Sequence, residues 1–159
     1  MKKEKLQEYT LRVTQSNRTQ LVVVIYEIIL TYLEDAGECH KAADWEGFSE
    51  AIGKASGFVK ELVGALDFKY EISMQLYSLY LYSNRCLNAA RRTKNVEELK
   101  GIEIVINGLK KSFETIAETD KSEAVMKNTQ AVYEGLTYGK DSKNQVLFPN
   151  GEGSRGFTV

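Results

Sequence analysis

One proline, one histidine, one tryptophan and two cysteines in 159 residues exclude several possibilities at once. The proline is Pro149, so residues 1–148 hold no obligate helix breaker. A single imidazole, His40, cannot supply a zinc site; near the end of a helix it reads as a solvated or dipole-complementing residue. Cys39 and Cys86 have no paired spacing and fall inside helical patterns, which suits buried reduced thiols and not a disulfide. No apolar run approaches the ~20 residues that cross a bilayer, and Met1-Lys2-Lys3-Glu4-Lys5 leads into mixed polar sequence without an apolar stretch of signal-peptide length. Charge of one sign is missing too: 21 basic against 22 acidic residues give a net charge of -1, which argues against an electrostatic hold on nucleic acid or an anionic membrane. Acidic pairs such as Glu34-Asp35 and Glu97-Glu98 diverge around a helix instead of converging on a proton. The glycine-rich end lacks the lysine-serine pair of a phosphate loop. Together these absences predict a cytosolic protein with no cofactor, no metal, no catalytic residues, no nucleic acid partner and no membrane insertion.

What the chain has in quantity is helical periodicity. Long apolar-periodic segments with short polar joints predict an all-α protein: an antiparallel up-down four-helix bundle with an additional short C-terminal helix and a flexible tail. Asn17 is placed to cap a helix over about 18–43, with Gln20 three residues on reaching back as in a capping box. Asp44 restarts the chain. A second helix over about 45–66 presents Phe48, Ile52, Ala55, Val59, Leu62 and Leu66 inward, and a third runs over about 70–93. Asn95 caps a fourth, which carries Leu99, Ile102, Ile106, Leu109, Phe113 and Ile116 inward to about residue 118. The bundle is thus expected over 17–120, an accessory helix with Val125, Met126, Val132 and Tyr133 over 121–138, and a tail over 139–159 that holds the Pro149-Asn150-Gly151 turn signal and Val146-Leu147-Phe148.

Three of these helices carry apolar residues on two sides, whereas closing a bundle needs one. At about 100° per residue, Leu21, Ile25, Ile28, Ile29, Tyr32 and Ala36 form one stripe of the first helix, with Val23 and Leu30 roughly opposite and Tyr26 between. In the third, Ile72, Leu76, Leu79, Ser83, Cys86, Leu87 and Ala90 share a face, and Met74, Tyr77 and Leu81 lie about 170° away. In the fourth, Gly101 and Gly108 flank Ile104 and Val105 and widen the apolar and small-residue arc to roughly 220°. Gly53, Gly57 and Gly64 gather on the outer side of the second helix, either as tolerated weak helix formers or where another backbone approaches. Exposed apolar area of this kind marks a place where another chain docks. The nine tyrosines are not interleaved with a basic stripe, and Arg91-Arg92 and Lys94 sit where cations complement a helix end. Tyr70, Tyr77 and Tyr80 share one edge, which suits a half-buried protein interface, with core packing as the competing explanation.

Across roughly residues 9–117 the sequence resembles the flagellar export chaperones of the FliS type. The resemblance rests on Tyr9 and Val13, Leu21, Ile25-Tyr26-Glu27, Lys54-Ala55, Glu61-Leu62, Leu66-Asp67, Leu79-Tyr80, Leu87, Ala90 and Phe113, where the family usually has tryptophan. It departs at Asn17-Arg18, where the family has a small residue and proline, and in the spacing of Tyr9 to Val13. It implies a bundle that binds the carboxy-terminal segment of flagellin, with an amino-terminal segment, 1–16, lying over the binding groove through Tyr9 and Val13. Other flagellar export components are further candidate partners. Periodicity nominates Met74, Tyr77, Leu81, Gly101, Ile104, Val105 and Gly108 for the groove and Val23, Tyr26 and Leu30 for a secondary stripe. The rival reading is a structural bundle whose extra faces are covered by its own segment 122–159 or by a homo-oligomer; the sequence leaves the oligomeric state open.

Overall fold

The computed structural model describes residues 3–126, which belong to one compact unit. They form five α-helices: α1 (Lys3–Gln15), α2 (Arg18–Lys41), α3 (Trp45–Gly64), α4 (Glu71–Thr93) and α5 (Glu97–Thr119). Helices α2 to α5 each pack on the next, α5 closes the ring against α2, and the short joints make successive helices antiparallel. The all-α four-helix bundle expected from periodicity is therefore present. Its extra described helix is the amino-terminal α1, which packs on α2. Residues 121–126 are not helical, and the rest of the expected accessory helix and the tail lie outside the described residues.

Local chemistry sets the helix starts. Asn17 Oδ1 accepts from the Gln20 amide at 2.8 Å while Gln20 Oε1 accepts from the Asn17 amide at 3.0 Å, a complete capping box. Asp44 Oδ1 caps α3 by accepting from the Gly47 amide at 2.9 Å; a Cβ on Gly47 would collide with that same carboxylate. Asn95 Oδ1 accepts from the Glu97 amide at 3.0 Å, although the residue adjoining α5 is Val96. Lys94 ends α4 in the left-handed region (φ 54°), and His40 Nε2 lies 3.1 Å from its carbonyl, tying the ends of α2 and α4. Cys39 and Cys86 are free thiols, each half-buried.

The core of α3 is the one its stripe predicts, from Phe48 through Leu62, with Leu66 partly buried. Two helices are rotated from expectation. On α2 the bundle core is built from Tyr26, Ile29, Leu33 and Ala36, so Tyr26 is not surplus but fully buried. Val23 is buried and Leu30 partly so, which removes all three from the list of free apolar residues. On α4 the buried row is Ser73, Leu76, Tyr80, Ser83, Leu87 and Ala90, while Ile72 and Leu79, expected inside, are exposed. Ile116 of α5 is exposed as well.

Hydrogen bonding explains the rotation of α4. Tyr26 and Tyr80 meet hydroxyl to hydroxyl at 2.5 Å inside the bundle, so each phenol finds its partner only in this register. Ser73 and Ser83 can face inward because their hydroxyls donate to the Asp67 and Leu79 carbonyls at 2.6 and 2.9 Å. Burial pushes both phenols above the ordinary tyrosine value; the proximity of Tyr80 adds to the rise at Tyr26, while the bond to Tyr26 offsets part of the rise at Tyr80. Phe113 packs edge-on against Tyr26, 5.6 Å between centroids, and completes the aromatic centre.

Candidate protein-binding surface

Helix α1 is the most lightly held element. It buries only Tyr9 and Thr14, and α2 is its main neighbour. Tyr9 enters a small cluster with Val24 and Ile28, flanked by Val13, Tyr32 and by Phe58 of α3. Its hydroxyl pairs with Thr31 Oγ1 at 2.9 Å. Arg12 of α1 grips Glu27 of α2 with both guanidinium nitrogens, one of them at 3.1 Å from Oε1, and this bond raises the arginine's pKa. Lys5 Nζ stands 3.6 Å from Glu34. Thus α2 does have two apolar faces. The second is Val24, Ile28 and Tyr32, and α1 covers it.

Near its carboxy-terminal end α1 forms one wall of a cleft of about 670 Å³, bounded by Arg12 and Ser16, by Gln20 and Val23 of α2, and by Glu114 and Glu118 of α5. Its lining mixes apolar Val23, Val24 and Ala117 with charged Arg12, Glu114 and Glu118. An amphipathic helix seated on an apolar face, with ion pairs along its edge, is a helix-in-groove interaction made within one chain.

The groove residues nominated by periodicity lie on the outer side of α4 and α5, away from α1. Met74, Leu81 and Ile104 are exposed by 58%, 41% and 74%. Tyr77 is half-buried, with Phe68 packed edge-on at 5.7 Å. Val105 is half-buried, and Gly108 faces open space. These residues form two strips instead of one pocket. Asn84 accepts from Ser56 Oγ at 2.9 Å and Arg91 Nε donates to Ser49 Oγ at 2.6 Å, which marks the α3 side of α4. Tyr77 lies in line with Asn84, and Leu81 is about 60° from it, so Met74, Tyr77 and Leu81 lean towards α3.

The other side of α4 meets α5 through Tyr82. The neighbouring Cys86 raises its pKa, and its phenol sits over Gly101, where a Cβ would come within 2.9 Å of the hydroxyl. Gly101 is therefore small because Tyr82 occupies its space. Ile72, Leu79 and Tyr82, which the sequence reading did not assign to a surface, are exposed on this side. The signal was present in the i, i+3, i+7 row Ser73, Leu76 and Tyr80, which continues through Ser83, Leu87 and Ala90, but the hydroxyls of Ser73 and Tyr80 disguised its first part as polar. A Cβ added at Gly53, Gly57 or Gly64 would meet nothing within 4 Å, so the outer side of α3 is bare there.

Among the described residues no group of three or more His, Cys, Asp or Glu could hold a metal, and no helix is long and apolar enough to cross a membrane. No curated protein matches the chain. The model of a family described as flagellar protein FliS matches residues 2–120, through all five helices. With that match over a bundle that carries a covered apolar groove and an open apolar flank, the chain belongs to the FliS family, flagellar chaperones and not enzymes.

Proposed function

We propose that this protein binds the disordered carboxy-terminal region of flagellin in the cytoplasm, prevents its premature polymerisation and keeps it competent for flagellar type III export. The observation that carries this reading is α1 itself. The face formed by Val24, Ile28, Tyr32 and Phe58 already accepts an amphipathic helix through Tyr9 and Val13, and of that helix only Tyr9 and Thr14 are buried. A cargo helix with similar anchors takes that face by displacing α1, and the open strips around Met74 and Ile104 offer surface to a further segment. No bond is made or broken. Ordering a disordered segment costs free energy, and competition by α1 reduces apparent affinity again, which suits a complex that must release its cargo.

The test is calorimetric titration of the full chain with a peptide comprising the last few dozen residues of the host's flagellin. Binding with a large negative heat-capacity change, accompanied by loss of amide protection in α1, is the expected result. Absence of heat at micromolar concentrations overturns the assignment.

A further inference from the structure

The described chain continues past α5 and runs back across the joint between α1 and α2. That joint is only Ser16 and Asn17, and both are buried. Asn17 Nδ2 donates to the Asp120 carbonyl at 3.1 Å and reaches the Ser122 carbonyl at 3.5 Å. Thr19 Oγ1 donates to Asp120 Oδ2 at 2.5 Å. The Val125 amide donates to the Ser16 carbonyl at 3.0 Å. Asp120 also folds its own segment, accepting from the Ser122 amide at 2.9 Å. Each cross-link ends on the two joint residues or on the first turn of α2, none on the bundle core.

Asn17 divides one amide between two tasks. Its oxygen caps α2, and its nitrogen is spent on residues more than 100 positions away. A serine would cap as well but could not donate to two carbonyls at once. For α1 to swing off α2, the backbone at Ser16-Asn17 must change conformation, and the Ser16 carbonyl and Asn17 side chain are the groups the returning segment holds.

We propose that Asp120–Val125 is a latch on the amino-terminal helix, coupling the undocking of α1 to release of the segment that leaves α5. Coupling of this kind is reciprocal: drawing the segment away loosens α1, and lifting α1 frees the segment. The inference concerns the docking of α1 alone, so it stands or falls without any cargo being present.

The experiment is residue-resolved amide hydrogen exchange on the full chain, without cargo, for the wild type and for Asn17→Ser, Thr19→Val, Asp120→Ala and Tyr9→Ala. In the first three variants α1 amides should exchange roughly tenfold faster, the effect of losing one or two hydrogen bonds, while Val59 and Ile102 in the core keep their rates. In Tyr9→Ala, which releases α1 without touching the latch, the Val125 amide should lose protection. Unchanged α1 exchange in the latch variants, acceleration spread evenly through all helices, or a Val125 amide indifferent to Tyr9→Ala would each overturn the proposal.

Discussion

Truncating Tyr9 to alanine should open the amino-terminal cap and tighten cargo binding. Tyr9 is 7% exposed and is the one aromatic anchor of α1. Burying a tyrosine removes roughly 150–250 Å² from water, and aromatic-to-alanine changes in cores cost about 3–5 kcal/mol. Tyr9 sits at the rim of the fold in a cluster of few residues, so the lower end, about 3 kcal/mol, is the appropriate figure. The hydroxyl bond to Thr31 accounts for about 1 kcal/mol of it. Because α1 packs on α2 outside the main core, this loss falls on the docking equilibrium of α1 and spares the α2–α5 ring. About 3 kcal/mol is a factor of about a hundred in that equilibrium. Apparent affinity for a flagellin carboxy-terminal peptide should improve by that factor, or by the full closing constant of α1 if that is smaller. Tyr9→Phe keeps the ring and should give less than tenfold. Calorimetry supplies the affinities, and hydrogen exchange reports α1. If α1 loses protection in Tyr9→Ala while peptide affinity is unchanged or weaker, α1 does not compete with cargo and the argument fails.

Tyr26→Phe leaves the buried Tyr80 hydroxyl without its partner and should lower stability to urea by about 1–3 kcal/mol, with the Tyr26→Phe, Tyr80→Phe pair costing less than the sum of the singles. Since burial raises both phenols, the fold holds their protons more tightly than the unfolded chain does. Their contribution is complete below the ordinary tyrosine value near 10 and declines as pH rises through the folded values, so the wild type should lose urea midpoint above about pH 10 more steeply than the double variant. At the latch, bonds from Thr19 and then Ser122 hold the Asp120 carboxyl below the ordinary aspartate value. Its contribution is present above about pH 4 and lost as pH falls through the folded value, so α1 protection should weaken on acidification in the wild type but much less in Asp120→Asn. Met74→Asp and Ile104→Asp, both at exposed positions, should each change stability by less than about 0.5 kcal/mol. If only one of them weakens peptide binding tenfold or more, that strip carries the second segment of cargo; if neither does, the outer flank of α4 and α5 is not a cargo surface.

The cap, its groove and the latch share one economy of construction. Helix α1 shields an apolar face that would otherwise be open to solvent, and it is held by one aromatic anchor, an arginine–glutamate pair at its edge and a hinge cross-linked from the segment that follows α5. None of them involves the aromatic centre of Tyr26, Tyr80 and Phe113, so the ring of four helices can persist while the cap moves.

Helix positions were legible in the sequence because they depend on neighbours a few residues apart. The Asn17–Gln20 box, the Asp44 cap and the lack of proline fix where helices start and continue, and the single apolar stripe of α3 names its core from Phe48 to Leu62. The exposure of Met74, Leu81 and Ile104 followed from the same periodicity. The rotation of α2 and α4 did not, because a helix with apolar residues on two sides has no unique inward direction. That choice is made by partners distant in sequence: the Tyr26 and Tyr80 hydroxyls that satisfy each other, and the α1 helix that takes Val24 and Ile28. The division of the α4–α5 flank by Tyr82 and the bonds from Asp120–Val125 to Ser16, Asn17 and Thr19 are of the same kind. Local chemistry decides which residues are helical; which face each helix turns inward is decided only when buried polar groups and apolar faces from remote segments must be satisfied together.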